Sequence, residues 1–280
     1  MRDTSPTIYK QKLGEALVKA RETADVQREE AARTLRCSVS KIRTIEKGEV
    51  SIRSSELRDL LDLYGVGGDE RADIEHLADI ARQRRPRTPW GGAVPDRLRR
   101  FFDLEETATA IHAYSPWLLQ GLAQTEQYAR AVIGTNPDLA SEDIDRLVQA
   151  RLARQARLSS ERPPAIRWVI DEHVLRMPVG GREVMRGQLA HLAAIGRKGV
   201  GELRVIPTEI GAHAGCGIPF LVLTDNDGKR AIYVETLTDG RFVDDAERVE
   251  RYENAMREMT AVALSHEDSL SLVDTVLSRL

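Results

Sequence analysis

Between Ile8 and Gly65 the apolar residues fall into four short segments at helical spacing, and this pattern constrains the chain more than any other feature. Ile8, Leu13, Ala16, Leu17 and Ala20 recur at the three- and four-residue intervals of an amphipathic helix. A second helix, Gln27 to Leu35, carries the small pair Ala31 and Ala32. Ser38 is suited to cap a third that contains Val39, Ile42 and Ile45, and Gly48 ends it. Ser54 and Ser55 are expected to cap a fourth, in which Leu57, Leu60, Leu61 and Tyr64 form the stripe. The pattern predicts an all-α domain over residues 1–80.

The third helix has a second face. If Val39, Ile42 and Ile45 point inward, Ser40, Lys41, Arg43, Thr44 and Lys47 lie away from the core, on a surface polar enough to enter a DNA major groove. From Arg33 to Arg53 there are six basic residues and two acidic ones, a local net of +4. The order Gln27, Ala31, Leu35, Ser38, Ile42, Ile45, Glu46, Gly48, continued by Leu57, Leu60 and Leu61, resembles the Xre family of lambda Cro-like helix-turn-helix domains. That resemblance implies double-stranded DNA as a partner. Ser38, Val39 and Ser40, near the start of the third helix, are then expected to reach base edges together with Lys41, Arg43 and Thr44. Gln27, Arg28 and Lys47 are expected to meet phosphates or neighbouring edges. Arg43 is the first candidate for a guanine, because its planar fork matches O6 and N7. One departure stands in the turn, where the family usually carries glycine and this chain has Arg36.

An overall charge of −3 would argue against nucleic acid if the charge were evenly spread. It is not, because the basic residues gather in two places, as phosphate binding requires. The second is Arg82 to Arg100, with seven arginines against the single acid Asp96. Three prolines and an adjacent glycine pair in this stretch predict a linker over 81–96. No apolar run is long enough to span a membrane. The N-terminus has no secretory h-region, and the two distant cysteines, Cys37 and Cys216, form no metal signature, so a cytoplasmic location is expected.

Residues 97–280 alternate between helical and extended patterns. Arg97–His112, Thr125–Ile133, Glu142–Ser160, Arg182–Ile195, Ala246–Leu264 and Glu267–Leu280 read as helices. Ile166–Ile170, Leu203–Ile206, Ile218–Thr224 and Ala231–Glu235 read as strands, the last two joined by a DNDGK hairpin. The expected fold is multidomain, an all-α helix-turn-helix domain followed by a larger mixed α/β (α+β) domain. Five blocks, including LEETATAIHAYSPWLLQGLAQTEQYARAVI and IRWVIDEHVLRMPVGGREVMRGQLAHL, resemble the C-terminal domain of WhiJ-like regulators of filamentous actinobacteria. Gln120 and Ala123 depart from the proline and leucine usual there. The resemblance implies a regulator associated with a small protein encoded nearby, in some relatives described as antitoxin-like.

Pocket material in this domain comprises Trp117, Gln124, Thr125, Tyr128, Arg151, Gln155 and His213, read either as a ligand or partner surface or as interhelical hydrogen bonds. Trp90, Trp117 and Trp168 read more readily as core than as pocket. Asp171-Glu172-His173 is poor acid–base machinery, because consecutive side chains diverge. No phosphate loop, HExxH or GxSxG occurs, so neither an enzyme, a cofactor nor a metal is expected. The reading that results is a homodimeric transcription regulator on a pseudo-palindromic operator, controlled by a small molecule or a small partner protein. The alternative is an antitoxin-like protein whose main task is to hold that partner.

Overall fold

A computed structural model describes residues 6–82, 96–215, 217–236 and 240–280. The chain divides into two units, Met1–Thr88 and Pro89–Leu280. Most of the expected connection, residues 83–95, lies outside the described residues, as do Trp90 and Cys216.

The N-terminal unit is built from α1 (Pro6–Thr23), α2 (Arg28–Thr34), α3 (Val39–Glu46), α4 (Ser54–Leu63) and α5 (Gly68–Arg82). Leu13, Leu17 and Ala20 of α1, Ala31 and Ala32 of α2, Ile42 and Ile45 of α3, and Leu57, Leu60 and Leu61 of α4 close one core, completed by Ile74, Ala78 and Ala81 of α5. Ser38 caps α3 as expected, its hydroxyl oxygen accepting from the Lys41 amide at 3.2 Å. The start of α4 differs from the expectation. Arg53 is the cap residue and Ser54 already lies in the helix, because the Glu56 carboxylate reaches back to accept from the Arg53 amide at 3.1 Å. Gly48, at φ 68°, takes the left-handed turn after α3.

The C-terminal unit is a six-stranded mixed sheet between helical layers. In chain order it contains α6 (Asp96–Thr107), β1 (Ala110–Ser115), α7 (Glu126–Ile133), α8 (Ser141–Gln155), β2 (Ala165–Asp171), α9 (Arg182–Arg197), β3 (Glu202–Ile206), β4 (Phe220–Thr224), β5 (Arg230–Glu235), β6 (Gly240–Val243), α10 (Ala246–Val262) and α11 (His266–Ser278). The strand order is β3-β2-β1-β4-β5-β6. β1, β2 and β3 are parallel, and β4, β5 and β6 continue the sheet antiparallel from the other side of β1. Strand residues alternate between two cores. Ile111, Trp168, Ile170, Leu203 and Val205 pack with Tyr128, Leu189, Leu192 and Val273 of α7, α9 and α11. Tyr114, Val169, Phe220 and Ile232 pack with Val249, Met256 and Met259 of α10.

Two expectations fail here. The helix read from Arg97 through His112 stops at Thr107, and its second half is the central strand β1. Ile111 and Ala113 face one core and Tyr114 the other, an arrangement that only an extended segment between two layers provides. β6 was not anticipated at all, being four residues long at the sheet edge. The DNDGK hairpin forms between β4 and β5, with Gly228 at φ 77°.

Candidate functional site

The first site is the outward face of α3. Ile42 and Ile45 are buried and Val39 is half-buried, which turns Ser40, Arg43 and Lys47 to solvent. The Arg43 side chain makes no hydrogen bond or ion pair with a described residue. Among the described residues Lys47 makes only a loose pair, with Glu49 at 3.9 Å, both side chains exposed. Thr44 is half-buried and donates its hydroxyl to the Lys41 carbonyl at 2.9 Å, so it helps to hold the helix rather than standing free. Lys41 pairs with Glu56 of α4 at 2.6 Å. The Lys41 ammonium, with its hydrogen bond, holds the Glu56 carboxyl below the ordinary carboxylate range. Gln27 is exposed at the N-cap of α2, and Arg28 is half-buried beside it.

Behind this face stands a polar lock that spacing did not reveal. Glu46, the last residue of α3, is buried and takes Arg21 Nε of α1 on Oε1 and Arg28 Nε of α2 on Oε2, each at 2.6 Å. Arg21 also donates to the Val26 carbonyl at 3.1 Å. Burial alone would lower the Arg21 pKa, but the Glu46 carboxylate outweighs it and the net direction is upward. Burial, with the Glu46 charge second, pushes Tyr64 up to about 12. One carboxylate therefore ties α1, α2 and α3 together, directly behind the exposed surface. Gly14 permits this approach, because a Cβ there would overlap the Glu46 carbonyl.

The second site is a cavity of about 380 Å³ in the C-terminal domain, beside the loop that leaves β1. Of the expected pocket residues, Trp117, Gln124 and Arg151 line it; Thr125, Tyr128, Gln155 and His213 do not. Trp117 is 55% exposed, so the reading of this tryptophan as core is overturned, whereas Trp168 is core at 2%. Arg151 donates to the Gln124 side-chain oxygen at 2.6 Å, and Gln124 donates to the Leu119 carbonyl at 2.6 Å. Burial, followed by the nearby Arg154 charge, pushes Arg151 down to about 10. Arg154, also lining the cavity, gives both ends of its fork to Glu105 at 2.6 Å and lies over the Phe102 ring.

The remaining expected residues hold the surrounding loop. Gln155 donates to the carbonyls of Gly121 and Gln124, at 2.9 and 2.7 Å. Thr125 caps α7 by accepting from the Tyr128 amide, and the Tyr128 hydroxyl accepts from Leu119. Gln188, missed in the sequence, is fully buried; it accepts from the Thr125 amide and donates to the Ala123 carbonyl, each at 2.7 Å. Its polar character on an apolar helix face was the available signal.

His213 belongs to a third cluster. Its Nε2 lies 3.2 Å from Asp171 Oδ1, and the Tyr114 hydroxyl donates to Asp171 Oδ2 at 3.2 Å. Gly215 makes this approach possible, since a Cβ there would overlap the Tyr114 ring. Asp171, Glu172 and His173 do diverge: Glu172 pairs with Arg176 at 2.8 Å, and the His173 ring lies 5.2 Å from Trp117. Among the described residues no group of three His, Cys, Asp or Glu side chains is arranged to hold a metal. No helix among them is long and apolar enough to cross a membrane.

Comparison with known families agrees with this division. A helix-turn-helix domain family matches residues 12–74, which contain α2, α3 and the turn between them. A family described as a domain of unknown function, DUF5753, matches residues 98–275, nearly all of the C-terminal unit. No curated protein and no solved structure matches the chain. The helix-turn-helix match points to DNA binding and hence to a regulator of transcription rather than an enzyme. With more than half of its residues covered by the second match, the chain belongs to the DUF5753 family and carries a helix-turn-helix domain at its N-terminal end.

Proposed function

We propose that the protein is a sequence-specific transcription regulator of the Xre type with a WhiJ-like C-terminal domain. It acts as a homodimer whose two heads bind the half-sites of a pseudo-palindromic operator, about one helical turn apart. The observation that carries this reading is the capped helix α3, with Arg43, Ser40 and Lys47 exposed in front of the paired Arg21, Arg28 and Glu46 and the paired Lys41 and Glu56. Arg43 reads a guanine in the major groove, while Gln27, Arg28 and Lys47 contact the backbone and neighbouring edges. The C-terminal domain supplies the dimer contact and takes a small molecule or a small partner protein, whose differential affinity for two states sets operator occupancy.

The test is binding to promoter DNA from the protein's own locus, over a salt series, for wild type, Arg43→Ala and Lys47→Ala. Arg43→Ala is expected to lose about 1–3 kcal/mol on the specific site and little on random DNA. Lys47→Ala should weaken both alike and reduce the salt slope by about one. Equal losses on specific and random DNA for Arg43→Ala would count against base reading by this residue.

A further inference from the structure

The cavity beside β1 holds two arginines, and only Arg154 forms an ion pair with a described carboxylate. Arg154 spends its charge and its fork on Glu105. Arg151, nearly one turn earlier on α8, gives one N–H to the neutral amide oxygen of Gln124, and no described carboxylate forms an ion pair with it. A half-buried guanidinium beside a neutral acceptor gains from an anion that joins it. Gln124 is itself fixed through Leu119, so the Arg151 fork is held in place at the cavity wall.

The rest of the wall is largely apolar, with Phe101, Phe102, Trp117 and Tyr233 prominent, and the volume is that of a small-ligand site. The position is also one that open α/β sheets reserve for ligands. The cavity lies at the carboxyl end of β1, where parallel β2 on one side gives way to antiparallel β4 on the other. Glu235, exposed at the end of β5, lines the same space and adds a negative field. That field disfavours a doubly charged anion such as phosphate and leaves room for a single negative charge on Arg151.

We propose that this cavity binds a small apolar or aromatic monocarboxylate, its carboxylate on Arg151 and its hydrocarbon body against Phe101, Phe102 and Trp117. The inference deepens the effector-binding role given to the C-terminal domain and rests on it. Calorimetric titration of the full-length protein with phenylbutyrate, its neutral counterpart phenylbutanol and the cation phenylbutylamine tests it, and the change in tryptophan fluorescence that Trp117→Phe removes follows occupancy. The acid is expected to bind about 10- to 100-fold more tightly than the alcohol, as charge-assisted hydrogen bonds to one guanidinium provide. Arg151→Gln should bring the acid to the level of the alcohol and leave the alcohol unchanged. If Arg151→Gln unfolds the domain, Leu118→Phe at the rim, with Arg151 intact, should weaken both probes by narrowing the entrance.

An acid that binds no better than the alcohol, an amine that binds best, or acid binding indifferent to both variants would overturn the assignment. Operator binding measured in parallel separates the two readings. Failure of the acid with intact operator binding removes this site alone, whereas selective acid binding without operator binding leaves the site and removes the regulator.

Discussion

Arg36 sits in the left-handed region at φ 49°, in the turn between α2 and α3, a backbone conformation that favours glycine. The side chain costs about 1–2 kcal/mol there, and glycine returns part of that gain through the entropy of the unfolded chain. Arg36→Gly is therefore expected to stabilise the N-terminal domain by about 0.5–1 kcal/mol, read as a higher urea midpoint with an unchanged slope. Glu46 is the opposite case. Removing it leaves Arg21 charged and buried without its partner, so Glu46→Ala should cost about 3–5 kcal/mol in the same measurement. The sequence exposed half of this. Arg36 was recognisable as a departure because the family it was compared with carries glycine in that turn. The role of Glu46 as a junction was hidden, because Arg21 and Arg28 lie far from it in the chain and charged residues read as surface. Ser40, Arg43 and Lys47 were legible because helical geometry alone decides which side they occupy.

At the scale of elements, α1 and the end of α3 meet tightly where Gly14 faces the Glu46 carbonyl. A methyl group there forces the two helices apart. Gly14→Ala is expected to cost about 1–3 kcal/mol despite its gain in helix propensity, and to lower DNA affinity by tilting α3. Unchanged stability would show that the seam tolerates separation. The helices were readable because each carries a 3.6-residue stripe and recognisable stops. β1 was not, since the run from Ala108 to Ala113 is rich in alanine and follows a genuine helix without a glycine or proline break. What makes it a strand is partners more than 50 residues away, as in the pairing of Tyr114 with Val169 and Phe220. The cavity was legible only in fragments for the same reason. Gln124 and Arg151 stood out as polar residues on apolar helices, but Leu221 and Tyr233 come together with them only through the sheet.

Across the molecule, the helix-turn-helix core uses residues from Leu13 to Ala81, and the two C-terminal cores use residues from Phe101 onward. Substitutions in the two units should therefore add in their effects on stability. Acid should act on them unequally. His112 is half-buried and its pKa is lowered by burial first and then by the Arg167 charge, with Arg230 adding and Glu202 and Glu253 opposing. His191, on α9, is lowered by burial and by Lys198. In both cases the unfolded chain binds a proton more readily than the folded one, so stability falls as pH drops below the ordinary imidazole range toward the depressed folded values. Thermal melts between pH 7.5 and 5 are thus expected to show loss in the C-terminal unit, and His112→Gln should flatten that slope (the pH limits are set by the ordinary value of about 6.5). A slope unchanged in this variant would assign the sensitivity elsewhere. The lock at Glu46 carries a further consequence for how such a protein changes over time. Because the ties that fix α3 sit behind it, Ser40, Arg43 and Lys47 bear almost none of the burden of folding. On the proposed function, this face can be exchanged one residue at a time at little cost to folding.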